Sequence, residues 1–497
     1  MGLLTLTLFL PVVGAIALLF VPRNNDRMIR IVAALVTGID LVLAGFIFFA
    51  YNAAAGGIQF AERLPWVRIP TTPQFNVDYY LGVDGLSTPL VLLTSLLTFL
   101  AVFISWNAID TRVREYHILL LLLQTGVLGV FMALDFFLFF LFWEVELIPM
   151  YLLIGIWGSG RRMYAATKFL LYTLTGSAFM LVGIILLYFN STQATFDMFA
   201  LADQASAFAP ALQTLIFFFI LLAFSVKLPV WPLHTWLPDA HGDAPTAVSV
   251  LLAGVLLKMG AYGIFRIVLT MFPETTRTFA PLLVAFAVIS IIYGAIVTIM
   301  QPDMKRLVAY SSVSHMGYIL LGVAGGVSGL SIVGLNGAAL QMFTHGTITG
   351  LLFAAVGVIY HKAHTRQIDD FGGIAARMPV LATVFMIAGL GSLGLPALSG
   401  FVAELLIFFG SYQAFPWAAV AGAFGVLLAT GYIMFMYRRI FFGPLNPRWA
   451  HLADADPVDM VPLFALVATI VVVGVYPTIL TRVFESGLLP IMARLGG

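Results

Sequence analysis

Residues 211–237 read ALQTLIFFFILLAFSVKLPVWPLHTWL. No charge occurs up to Val226. Lys227 then stands two residues before Pro229, and Pro232 follows. About 20 consecutive apolar residues suffice to cross a bilayer. A proline within a helix removes a backbone donor and clashes with the preceding turn. At membrane depth such a break is tolerated only where it is buried in protein or lines a hydrated cavity. The stretch therefore predicts a membrane helix that breaks beside an interior lysine.

The rest of the chain has the same character. Of 497 residues, 61% are hydrophobic and 9% charged, against about 25% charged in soluble domains. This composition excludes a soluble enzyme, a nucleic-acid binder and a disordered scaffold. The chain has no cysteine, which removes disulfides, thiolate metal sites and iron–sulfur ligation. Leu3 to Val21 lacks a basic leader and a clear cleavage site, so it reads as a retained span.

The hydropathy pattern predicts about 14 spans, at 3–21, 30–51, 86–107, 116–134, 136–158, 166–190, 211–237, 243–264, 279–300, 306–325, 334–360, 379–410, 416–442 and 460–481. Fifteen of the 24 Lys and Arg fall in loops after odd-numbered spans and six on the other side, Arg266 among the six. Basic loops stay in the cytoplasm, so both termini are expected outside, on the periplasmic face of a bacterial inner membrane.

Ser225–Pro229 and Ser392–Pro396 both read Ser-x-x-Leu-Pro. They lie in the seventh and twelfth spans, five apart, and so run in opposite directions. Broken helices at matching places of two inverted repeats point to an ion site. The expected fold is an all-α polytopic membrane protein with two inverted five-helix repeats, each containing a discontinuous helix. The divisions are 1–115, 116–264, 279–442 and 443–497.

A charge at the centre of a membrane helix costs about 2.5–3.5 kcal/mol on insertion scales, so each interior ionisable residue needs a partner or a task. Glu144 lies nine residues past Asp135, about 13–14 Å into its span at 1.5 Å per residue. It is taken as the partner of Lys227. Glu146, two residues on, points elsewhere and reads as the more structural of the two acids. Burial favours the neutral form of an amine and a nearby carboxylate favours the charged one, so movement of Glu144 against Lys227 could load and unload a proton. Permanent helix-locking pairs are the alternative.

Lys258 has no acid in its own helix core, and Glu404, two turns past Pro396, is the only carboxylate between Asp370 and Asp454. His345 and His315 are candidate relays between them, because histidine titrates nearest neutral pH. A satisfied core histidine competes with that reading. His234 and His241 border the break in the seventh span and could line an entry funnel or cap helices. Lys168, near the cytoplasmic end, could simply snorkel. Asp40 shows no obvious partner.

Gly389–Gly394 matches G-x-G-x-x-G, but within an apolar span it is not a nucleotide loop. His361 and His364 lack a third ligand, so no metal site is expected.

Lys227 to His241, then Ala244 to Lys258, and Lys305 to Gly317 in Lys-Arg-Leu-Val-Ala-Tyr-Ser-Ser-Val-Ser-His-Met-Gly, resemble the antiporter-like membrane subunits of respiratory complex I and of multisubunit cation/proton antiporters. A glutamate at 404, where related chains more often place a lysine, resembles the chain M branch of bacterial NADH–quinone oxidoreductase. So does the loop Asn76–Ser87. The resemblance implies a proton-moving membrane-arm subunit driven by quinone reduction elsewhere. It implies no cofactor in this chain, with NADH, FMN, iron–sulfur clusters and quinone held by partner subunits. The partners implied are the other membrane-arm subunits, especially neighbouring antiporter-like chains L and N, together with lipids and no nucleic acid. Carried over by residue, Glu144 and Lys227 form the coupled pair, Lys258 the central relay, His315 and His345 the bridge, and Glu404 the terminal site. A sodium/proton antiporter or membrane-bound hydrogenase subunit is the competing assignment.

Overall fold

The computed structural model describes residues 2–70, 75–193 and 195–496. Among them, twelve helices are long and apolar enough to cross a membrane, from Leu3–Phe20 to Pro457–Val475. Three shorter apolar helices occupy the expected third and twelfth spans: Thr88–Ile104, then Pro379–Ser392 with Ser399–Tyr412. Local chemistry sets many of the helix starts. Asp135 and Asp303 accept hydrogen bonds from the first-turn amides of the helices they precede. Proline opens five others, at Pro210, Pro273, Pro379, Pro416 and Pro457, where its missing N–H costs nothing.

Burial sorts the helices into a centre and a rim. In its most apolar 18-residue stretch Thr246–Leu269 is entirely buried, and 94% of the residues in the corresponding stretches of Met304–Ser328 and Ile332–Ala363 are buried, against 33% in those of Asp26–Ala50 and Pro457–Val475. The rim helices turn large apolar residues such as Phe20, Phe49 and Val475 outward. These are surfaces for lipid, since an exposed apolar band is stable only in hydrocarbon. The three central helices are those that carry Lys258, His315 and His345. Both proline-marked stretches are broken. Pro210–Lys227 gives way to an irregular segment before Trp236–Asp243, and Leu393–Leu398 separates the two halves of the twelfth stretch.

Three elements depart from the sequence expectation. Between the second and third expected spans, strand Gln59–Ile69 pairs antiparallel with Phe75–Val83, so the chain is not purely helical. Arg63 and Arg68 both clamp Asp78, and Arg63 also reaches Asp197 at 2.7 Å. A further helix, Thr478–Arg494, follows the last long span. It docks where Gly85 meets the backbone around Val483 and Gly487, and any Cβ at Gly85 would stand 2.0 Å from the Val483 carbonyl oxygen.

The third departure is Arg266. It lies inside the central span rather than in an outer loop, paired with Asp84 at 2.6 Å with both side chains buried. Asp84→Asn leaves that guanidinium without a counter-charge. It should lower thermal stability by about 3–5 kcal/mol, the cost of breaking a buried pair. The double exchange Asp84→Asn with Arg266→Met should recover most of the loss in a melting experiment on the assembled protein.

Candidate functional site

The span 136–157 is interrupted at Glu146, between helices Phe136–Val145 and Leu147–Trp157. The interruption turns Glu146 into the protein. Its Oε1 accepts a hydrogen bond from Lys227 Nζ, and both side chains are essentially sealed, at 0% and 1% exposure. The Lys227 ammonium also lies over the rings of Trp143 at 5.3 Å and Phe169 at 5.5 Å. These π faces stabilise a cation that water cannot reach.

The expected Glu144–Lys227 pairing is therefore replaced in this structure by Glu146–Lys227. Glu144 is half-buried and its Oε1 has no hydrogen-bond partner among the described residues. Two residues on a regular helix are about 200° apart, and the break at Glu146 decides which one faces Lys227.

Lys258 sits between two π-helical turns, Leu252–Leu256 and Ile264–Leu269. Such turns redirect backbone carbonyls. Its Nζ donates to the Ala253 carbonyl and lies 2.7 Å from His345 Nδ1. That ring nitrogen accepts from an ammonium, so the ring proton belongs on Nε2, which has no partner among the described residues.

The His345 and His315 rings are 5.6 Å apart. His315 Nε2 is 3.1 Å from Ser392 Oγ, at the end of the first half of the broken twelfth span. Its Nδ1 stands 3.5 Å from Glu404 Oε1. Glu404 is held against the break itself. Gly394 has φ +65, and a Cβ there would meet Glu404 Oε2 at 2.6 Å, so the position favours glycine.

The structure thus brings Lys258, His345, His315 and Glu404 into one buried file. No hydrogen bond or ion pair joins Lys227 to Lys258 among the described residues; the two helices approach closely at Gly260, where an added Cβ would stand 2.7 Å from the Phe224 carbonyl oxygen and 3.1 Å from Lys227 Cβ.

Of the secondary candidates, His241 stacks on Phe353 at 4.7 Å, with neither ring nitrogen bonded. His234 lies 5.2 Å from the Tyr293 ring. Lys168 bridges to Asp239 at 2.8 Å, and Asp239 also takes Arg306 at 2.6 Å, so Lys168 is a paired residue.

Sequence reasoning missed Ser392 and Lys305. The latter is buried, with its Nζ on the Ala244 carbonyl. Both residues lie inside or beside motifs that were read, but neither stands out by spacing.

Comparison with known proteins bears directly on this file. The family profile described as NADH:quinone oxidoreductase/Mrp antiporter, TM, matches residues 133–429. The profile for NADH-ubiquinone oxidoreductase chain 4, amino terminus, matches residues 28–130. The chain is 43% identical over 491 residues to NAD(P)H-quinone oxidoreductase chain 4 of Gloeobacter violaceus, covering 97% of this chain and 91% of that one. It is 40% identical over 494 residues to NADH-quinone oxidoreductase subunit M of Rhodobacter capsulatus, covering 97% and 94%.

Among solved structures, a chain of respiratory complex I from Thermus thermophilus with bound NADH superposes with a TM-score of 0.89 at 30% identity, over 99% of this chain and all of that one. A chain of the Mrp complex from Dietzia sp. shares the fold, with a TM-score of 0.86 at 21% identity over all of both chains. The chain therefore belongs to the family of antiporter-like membrane subunits of NADH:quinone oxidoreductase, within the branch of chain 4, also called subunit M.

Proposed function

We propose that this chain moves protons across the membrane as a membrane-arm subunit of an NADH–quinone oxidoreductase. The observation that carries the reading is the buried file Lys258–His345–His315–Glu404. Ionisable groups sealed in a membrane interior are costly, and four in sequence at near-contact distances suit stepwise proton transfer better than helix locking.

A proton released by Lys258 Nζ lands on His345 Nδ1, and the ring then gives up its Nε2 proton toward His315. His315 delivers to Glu404, which opens outward past the broken twelfth span. Loading from the cytoplasm runs through the broken seventh span, past His234 and His241. The Lys227–Glu146 pair, with Glu144 half-exposed beside it, sets the local potential that times release.

On this reading, residues 116–264 and 279–442 form the two inverted repeats, within about 14 crossings, and both termini face the periplasm of a bacterial inner membrane. The chain is flanked by the antiporter-like chains L and N and by lipid. NADH, FMN, iron–sulfur clusters and quinone reside in partner subunits.

The reading is tested by reconstituting the purified complex in vesicles and following NADH-driven acidification. Glu404→Gln keeps the size of the side chain but cannot ionise. It should cut acidification at least about tenfold, a barrier change of about 1.4 kcal/mol, with the complex still assembled. Sodium-coupled exchange in a complex that oxidises no NADH would instead assign the chain to a cation antiporter.

A further inference from the structure

Asp40 stands outside this file, on the rim helix Asp26–Ala50, yet its side chain is completely buried. It faces helices Thr88–Ile104 and Val113–Met132. Ser95 Oγ donates to Asp40 Oδ2 at 2.7 Å, and Gln124 Nε2 donates to the same oxygen at 2.6 Å. Ser95 and Gln124 are themselves buried. No Lys, Arg or His forms an ion pair with Asp40 among the described residues.

The two remaining atoms of the group make the case. Asp40 Oδ1 and Gln124 Oε1 are both buried and both without a hydrogen-bond partner. Each is an acceptor, so as an ionised carboxylate and an amide they cannot satisfy one another. An anion here would be a buried, unpaired charge, and isolated buried charges are neutralised rather than tolerated. One added proton resolves both deficits. On Oδ1 it converts that oxygen into a donor toward Gln124 Oε1, while Gln124 Nε2 continues to donate to Oδ2. With Gln124 Nε2 already on Oδ2, a proton between Oδ1 and Oε1 would close an acid–amide pair and leave neither oxygen unpartnered.

We propose that Asp40 is a proton-binding site, holding its carboxyl as the neutral acid. The Asp40–Gln124 pair then fastens the helix Asp26–Ala50 to the bundle. The proton is a resident one, outside the file Lys258–Glu404, and the inference does not depend on what that file transports.

Infrared spectroscopy of the assembled complex tests it. The wild-type minus Asp40→Asn difference spectrum should contain the carbonyl stretch of a protonated carboxylic acid, shifting on exchange into heavy water, with no matching carboxylate bands. Asp40→Asn, neutral and of the same shape, should assemble and turn over like the wild type, whereas Asp40→Leu should melt at a lower temperature. A carboxylate signature in the difference spectrum overturns the proposal, because the group is then ionised. So does stabilisation by sodium that Asp40→Asn abolishes, since the ligand is then a metal cation, and so does failure of Asp40→Asn to assemble. Gln124→Glu gives an independent check. It should assemble and add a second acid band, because two carboxylic acids pair as an acid and an amide do. If Gln124→Glu fails to assemble while Gln124→Met assembles, Asp40 carries a charge and the proposal falls.

Discussion

Lys258→Met should leave the complex assembled and no less stable, yet reduce NADH-driven proton translocation at least about tenfold, equivalent to about 1.4 kcal/mol on one transfer step. The argument rests on what surrounds the amine. Lys258 is completely buried and has no carboxylate partner among the described residues; its Nζ reaches the Ala253 carbonyl and His345 Nδ1. Methionine fills nearly the same volume without a charge to desolvate, and replacing buried ionic groups by apolar ones of similar size is often neutral or stabilising.

A purely structural lysine would therefore be dispensable for transport. Lys258→Arg sharpens the distinction. Guanidinium keeps the positive charge but does not deprotonate in proteins, so it should assemble less well in the tight cavity and translocate no better than methionine. Measured acidification close to wild type in either variant would remove Lys258 from the transfer path. Both variants should be read alongside melting temperature and NADH–quinone turnover, so that loss of folding is separated from loss of coupling.

Glu146→Gln should destabilise the protein by about 3–5 kcal/mol, the usual penalty when one partner of a buried ion pair is removed and the other stays buried. Glu144→Gln, at a half-buried position with no ion pair among the described residues, should cost less than about 1 kcal/mol, in the range of ordinary exposed or part-exposed changes. The asymmetry follows from Glu146 being the residue in contact with Lys227 at 0% exposure.

The double exchange Glu146→Gln with Lys227→Met should restore melting temperature without restoring proton translocation, which separates the pair's contribution to stability from its contribution to coupling. Equal stability losses from the two single glutamine variants would mean that Lys227 divides its charge between both acids. A loss of translocation in Glu144→Gln with stability intact would place Glu144 on the coupling route through its exposed edge.

The membrane class was legible in the sequence because hydrophobic length and charge content are properties of the chain alone. The breaks near Pro229 and Pro396 were legible because proline acts on its own backbone. Lys258, His345, His315 and Glu404 could each be found by depth within a span, since rise per residue is constant along a helix.

Contacts between helices were a different matter. Spacing gives the angle at which a residue leaves its own helix, but not which neighbour is rotated to meet it. So the sequence favoured Glu144 as the partner of Lys227, while the interruption at Glu146 turned the next acid inward instead. In the same way Arg266 reads as a loop cation until Asp84, from a segment far away in the chain, is packed against it. Asp40 reads as partnerless until Ser95 and Gln124 close over it. The amino-acid sequence by itself determined that this protein lives in lipid, where its proline-marked helices break and which ionisable residues lie at depth. Tertiary packing alone decided which of those residues touch, because a buried charge is stabilised by whatever group the fold brings to it, across any distance in the chain.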